Sequence, residues 1–293
     1  MKFPPFVFIL LLCSLASFAQ EESAKTSAAK ANDITLVAPA AWKGYQVKRD
    51  LVPAGKFARK LMEPMVPLYV TVHSTQNFAA GADALAHAKG QRQGNFKSAH
   101  NRIGFLAWHF TVDQTYAIQS LPCNERGQHA DYEGPGNAYS IGIEMCEHPK
   151  NDRAKTVDRT ARLCALLMAE YRIPLQHIVP HYHWRRIRYD DKKDIGHKNC
   201  PHYLLENGKP GKKWQEFLGL VHKHYKTHPK YDAALTKHEG IHPPVETKAQ
   251  PAEGGNPKVV SPPDANPTAK APKIDLPPVW LPGEKDKKET DPK

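Results

Sequence analysis

Leu68-Tyr69-Val70-Thr71-Val72-His73-Ser74-Thr75-Gln76-Asn77 decides how the rest of the chain is read. Its opening residues are aromatic, β-branched or aliphatic and include no breaker, which predicts a strand, and the Ser-Thr-Gln-Asn cluster has the turn chemistry that stops one. A histidine therefore stands at a strand's C-terminal end. Residues 79–93 are Ala-rich without proline and predict a helix, and residues 105–119 predict two strands around a turn at Asp113-Gln114. Ser140-Ile141-Gly142-Ile143-Glu144-Met145-Cys146 is another strand, with one acid among apolar neighbours. From Asp152, residues Val157, Ala161, Cys164, Ala165, Leu167, Met168 and Tyr171 keep the spacing of a buried helix face, and Pro174 ends that helix. Ile178-Val179 predicts a short strand leading into His181-Tyr182-His183-Trp184, and residues 214–225 predict a last helix. Strands alternating with helices predict a layered α/β domain with a central sheet, whose strand ends carry the functional residues. His73, Glu144 and His181 all occupy such ends.

The chain has 293 residues, 40% hydrophobic and 24% charged, which excludes a wholly disordered chain and a multi-span membrane protein. Thirteen of its 26 prolines fall in residues 227–293, where ten lysines balance ten acids, so the whole formal charge of +11 belongs to residues 1–226. The expected layout is a globular domain over 34–226 and a disordered Pro/Lys/Glu-rich tail over 227–293. A basic domain suggests a polyanionic partner such as cell wall, anionic lipid or nucleic acid. At the other end, Lys2 precedes an apolar run over 6–12, and Ser17-Phe18-Ala19 offers small residues where a signal peptidase reads. Residues 1–19 are thus expected to be a cleaved export signal, followed by a flexible leader over 20–33. The expected location is the periplasm or the cell exterior.

Signal cleavage would remove Cys13 and leave four cysteines, too few for a disulfide framework in so long a chain. Cys146 and Cys164 sit in apolar patterns and are expected to be buried small hydrophobes. Cys200 differs, because Gly196-His197-Lys198-Asn199-Cys200-Pro201-His202 is dense in metal-binding side chains. A hydrolytic zinc needs about three N, S or O ligands and one open position. His73, His181 and Cys200 are the economical set, although the chain has 16 histidines and a lone histidine near a strand end is more often simply hydrogen-bonded.

Five blocks occur in order: Val70-Thr-Val-His73-Ser-Thr, Trp108-His-Phe-Thr-Val-Asp113, Ser140-Ile-Gly-Ile-Glu144-Met-Cys, His181-Tyr-His-Trp184 and Lys198-Asn-Cys200-Pro-His. Together they resemble the zinc-dependent N-acetylmuramoyl-L-alanine amidases, in the phage endolysin and bacterial autolysin branch, whose fold is shared with the peptidoglycan recognition proteins. The resemblance runs from about residue 48 to 217. It implies a mixed sheet flanked by helices, one Zn²⁺ in an open cleft, and hydrolysis of the amide between N-acetylmuramic acid and L-alanine. It also implies roles: His73, His181 and Cys200 as metal ligands, Glu144 as the acid beside the metal-bound water, Lys198 as the cation near the oxyanion. His129, Trp108 and His109 fall to substrate binding. Trp108 stands where some members carry a catalytic tyrosine, and an indole cannot move that proton, so more of the base role falls on Glu144.

The sequence departs from that pattern between His181 and Cys200, where an insert over 185–194 carries five cations against three acids. The insert is either a solvated loop or a basic rim that grips anionic wall polymer. It also brings His183 and His197 within reach of the metal, and on an extended segment His181 and His183 would face one side. The expected protein is a monomeric exported amidase acting on peptidoglycan or muropeptides, without nucleic acid and without a transmembrane helix after signal cleavage. The competing readings are a muropeptide-binding module that does not cut, and a wall-attachment protein acting through its tail.

Overall fold

The computed structural model describes residues 34–237. The expected export signal, the leader and the chain beyond residue 237 lie outside the described residues. Six strands form one sheet: β1 (Val47–Arg49), β2 (Tyr69–Ser74), β3 (Phe110–Val112), β4 (Ala117–Gln119), β5 (Ser140–Met145) and β6 (Ile178–Pro180), in the order β1-β4-β3-β5-β2-β6. The β3–β4 pair is antiparallel and the other pairs are parallel, so the sheet is mixed. A parallel strand covered on both faces reads as a continuous apolar run rather than an alternation. That is why β2, buried along its whole length, was legible.

The pleat sorts the side chains. Val70 and Val72 of β2, Ile141, Ile143 and Met145 of β5, and Phe110 and Val112 of β3 belong to the main core, beneath α3 (Arg153–Tyr171) and α4 (Lys212–Tyr225). With a period of two, Thr71 and His73 point to the other face, as do Gly142, Glu144 and Thr111. The β2–β5 register sets His73 directly beside Glu144. β6 neighbours β2 on its far side and runs straight into His181. Three adjacent parallel strands thus end together, and the residues at their ends form the site.

The helix expected over 79–93 starts later, as α1 (Ala84–Arg92). Gly81, at φ +78°, belongs to the preceding turn, and the Asp83 side chain caps the helix by accepting from Ala86 N–H at 2.8 Å. Asp152 caps α3 in the same way, and Arg172 ends it in the left-handed conformation two residues before Pro174. The helix α2 (Pro135–Tyr139) was not anticipated, nor was the hairpin of β7 (Leu205–Glu206) and β8 (Lys209–Pro210). All four described cysteines are free and buried, with Cys146 and Cys164 packed among apolar side chains as expected. Among the described residues no helix is long and apolar enough to cross a membrane.

The expected boundary at residue 226 is corrected. Thr227 Oγ1 accepts from Trp42 Nε1 at 2.9 Å, His228 is buried against Trp42, and Leu235 packs on the main core. Lys230 pairs with Glu170 at 2.6 Å and Arg172 with Asp232 at 2.8 Å. The proline content of the tail concealed a short apolar anchor. A chain ending at residue 237 is therefore expected to melt with the full-length protein. One ending at 226 should melt about 5–10 °C lower, because burial of one aliphatic and one aromatic-sized side chain contributes roughly 2–3 kcal/mol. Equal melting temperatures for the two truncations would show that the 227–237 segment adds nothing.

Candidate metal centre

His73, His181 and Cys200 are all buried, and each offers a ligand atom within 4.8 Å of the other two. Hydrogen bonds on their outer sides fix how they face the centre. The His181 Nε2–H donates to Ala130 O at 2.8 Å. His129 Nε2–H donates to Ser140 O at 3.2 Å, and a carbonyl only accepts, so His129 Nδ1 is an acceptor. It receives the His73 Nε2–H at 3.0 Å. Both outward nitrogens thus carry the protons, and both inward Nδ1 atoms present lone pairs.

Those two Nδ1 atoms lie 2.8 Å apart. Two lone pairs at that distance repel unless a proton or a cation sits between them. A proton is disfavoured, because burial pushes both imidazoles well below their ordinary pKa, with His181 and Lys198 adding to the effect at His73 and Lys198 at His181. Cys200 Sγ completes the set, accepting from Ser74 N–H at 3.3 Å. Burial pushes its thiol up to about 12, so without a cation it stays protonated. Two neutral imidazoles and a thiol that a cation would ionise are the donor set of a soft or borderline metal, and the residues fit one.

Glu144 stands beside this cluster, its Oε1 3.9 Å from His73 Nδ1. Its Oε2 is buried with no hydrogen-bond partner among the described residues. Burial raises the carboxyl to about 8, against the pull of Lys198 and with a small push from Glu147. Lys198 is half-buried, and its ammonium acts on Glu144, His73 and His181 alike. All five expected ligand and catalytic residues therefore converge.

The three residues expected to bind substrate are placed differently. Trp108 is buried against Phe96, with its Nε1–H on Thr111 Oγ1 at 2.7 Å. His109 is fully buried, donating from Nε2 to Glu125 O at 2.8 Å and accepting at Nδ1 from Gly142 N–H at 3.0 Å. Its pKa falls to about 4 through burial. Neither keeps a polar atom for a ligand. His129 supports His73, and its ring lies so close over β5 that a Cβ at position 142 would meet it at 2.7 Å, which only glycine avoids. Trp108 and His109 make these contacts inside the scaffold, whereas His129 is half-buried and holds His73 and Ser140 from the edge of the centre.

His183 is not in the cluster. His181–His183 form a 3-10 turn rather than an extended segment, so residues two apart point to different sides, and His183 stacks near Tyr69 instead. His197 is exposed, with Nδ1 on Tyr182 O at 2.6 Å. The insert folds as a hairpin through Ile195 N–H to Arg186 O and Arg188 N–H to Lys193 O. Its arginines are already engaged: Arg185 with Asp194, Arg188 with Asp191, and Arg186 on the carbonyls of Gly196 and Ile195. Two of the three arginines are thus ion-paired within the loop, and with five cations against three acids the insert keeps a net positive charge.

Two residues near the site were missed. Glu147, its side chain 2% exposed, accepts from Gln76 N–H at 2.9 Å and lies 3.4 Å from His202 Nε2. It is the second acid in the Glu144-Met145-Cys146-Glu147 run, a signal available in the sequence. Asn137 is buried and makes four hydrogen bonds to the loop that carries His129.

The Amidase_2 family model, described as N-acetylmuramoyl-L-alanine amidase, matches residues 63–203, a span that contains every residue of the cluster. N-acetylmuramoyl-L-alanine amidase XlyA of Bacillus subtilis (strain 168) is 42% identical over 159 residues, which are 54% of this chain and 47% of that protein. CwlH of the same organism, an amidase of the same description, is 37% identical over 177 residues, 60% of each chain. The chain thus spans about half to three-fifths of the length of these curated relatives. The solved catalytic domain of XlyA is 37% identical and is covered over 99% of its length by 60% of this chain, with a TM-score of 0.48. Residues 63–203, which hold the whole cluster, therefore belong to the Amidase_2 family of N-acetylmuramoyl-L-alanine amidases.

Proposed function

We propose that this protein is a zinc-dependent hydrolase, exported from the cell, that cleaves the amide between N-acetylmuramic acid and L-alanine in peptidoglycan or its fragments. The observation that carries this reading is the convergence of His73, His181 and Cys200 beside an unpartnered Glu144 oxygen. Zinc held by that trio would lower the pKa of water toward about 7 and polarise the scissile carbonyl.

The chain's own groups supply the rest. Glu144 Oε2 is placed to take a proton from water and return it to the departing alanine nitrogen. Burial raises the metal-free carboxyl to about 8, and a dication held beside it would favour the carboxylate, the form that accepts the proton. Lys198 places a positive charge where the amide oxygen becomes negative. Trp108, His109 and His129 hold the scaffold and take no proton in this scheme.

Mass spectrometry of defined muropeptides after incubation with the metal-loaded protein tests the reading. Release of free stem peptide with intact glycan is expected. Binding of muropeptides with no cleavage at any metal loading would replace the enzyme with a recognition module.

A further inference from the structure

We propose that Asn137 is a positioning residue whose single carboxamide sets the tautomer and the placement of both histidine ligands. The inference rests on the metal-site reading above. His73 and His181 come from different strands, yet their outer hydrogen bonds end on one short loop: His73 Nε2–H on His129 Nδ1, and His181 Nε2–H on Ala130 O. That loop is not held by sheet pairing at these two residues. It is held by Asn137 Oδ1, which accepts from both His129 N–H and Ala130 N–H at 2.8 Å.

Asn137 is itself fixed in the middle of α2. Its backbone N–H donates to Asp131 Oδ1 at 2.8 Å, while its Nδ2 donates to Tyr132 O and to Gln128 Oε1. The amide therefore spans residues 128–132 like a clamp and is 1% exposed. Glutamine would be a methylene too long, and no hydrocarbon can accept two N–H groups. Without the clamp, the loop could turn Ala130 O away from His181 and leave the His129 ring held only through its Nε2–H on Ser140 O. His73 and His181 would then be free to place their protons on Nδ1, where a metal must bind. Partners of metal-ligating histidines carry roughly 10–100-fold in metal affinity when removed.

The test uses the full chain. Zinc affinity is measured by competition with a chromophoric chelator for wild type, Asn137→Ala and Asn137→Asp. Leu166→Ala, in the α3 core on the opposite face of the sheet, is the control for general destabilisation. Asn137→Ala is expected to bind zinc about 10–100-fold more weakly, and Asn137→Asp, which keeps both acceptances at Oδ1, to lose less. Leu166→Ala should lower the melting temperature without moving zinc affinity. In the metal-free proteins, ¹⁵N-histidine spectra should give Nε2–H tautomers for His73 and His181 in wild type and a mixture in Asn137→Ala. An Asn137→Ala affinity within twofold of wild type, or a loss matched by Leu166→Ala, would overturn the proposal, as would unchanged tautomers. Failure of wild type to bind zinc would instead sink the metal reading, and the tautomer spectra would still decide the role of Asn137.

Discussion

Cys200→Ala is expected to reduce bound zinc from about one equivalent per chain to a small fraction and to abolish turnover. The thiolate is the one anionic ligand of the trio, and it is fully buried, with the Lys198 charge and the Ser74 N–H to stabilise it. What remains after the substitution is two neutral imidazoles, a weak pair for a dication. Loss of the metal should also lower thermal stability, since a ligand at a hundred times its Kd stabilises the folded state by about 2.7 kcal/mol. The melting temperature of Cys200→Ala should therefore match that of chelator-treated wild type and should not respond to added zinc. The pH dependence has a definite sign. The free thiol titrates at about 12, so at any lower pH one proton must leave for each ion bound. Affinity should rise about tenfold per pH unit on that account. The histidines, held well below 6.5, add no further proton above neutrality. Metal analysis across pH 6–9 checks the slope, and full zinc retention in Cys200→Ala would remove Cys200 from the ligand set.

What could be read from the sequence follows from where the chain is buried. β2, β5 and α3 announce themselves because each is long and its apolar residues face a core on at least one side. β1 does not, since it is a three-residue edge strand whose Lys48 and Arg49 face solvent. α2 is five residues long and follows Gly134, with Pro135 at its start, so its composition reads as a turn. The ligands were recoverable because strand ends and ligand types coincide at His73 and His181, and because Cys200 lies in a loop segment dense in metal-binding side chains. Supporting residues were not, because nothing in the sequence tells that the Asn137 amide reaches back to residues 129 and 130. The insert was legible only as a charge balance, since five cations against three acids do not reveal that Arg185 pairs with Asp194 and Arg188 with Asp191.

Glu144→Gln should lose about two to four orders of magnitude in turnover while keeping its zinc. Glutamine preserves the shape at the end of β5 but cannot accept and return a proton. The same substitution separates function from stability. The carboxyl is pushed up to about 8 in the folded chain from its ordinary 4.5, chiefly because burial penalises its charge. A group whose acid is weakened by folding destabilises the native state once the unfolded chain ionises. The penalty is absent below about pH 4.5, grows between 4.5 and 8, and levels off above. One pKa unit corresponds to about 1.4 kcal/mol, so the full difference is on the order of a few kcal/mol. Metal-free Glu144→Gln should therefore melt with wild type at pH 4 and above it at pH 8. A variant less stable than wild type at pH 8 would mean that Lys198 compensates the carboxylate fully. A near-wild-type rate would move the proton transfer to another group. If both expectations hold, the protein keeps at the end of β5 a side chain that weakens its own fold, and it does so where a proton must change hands.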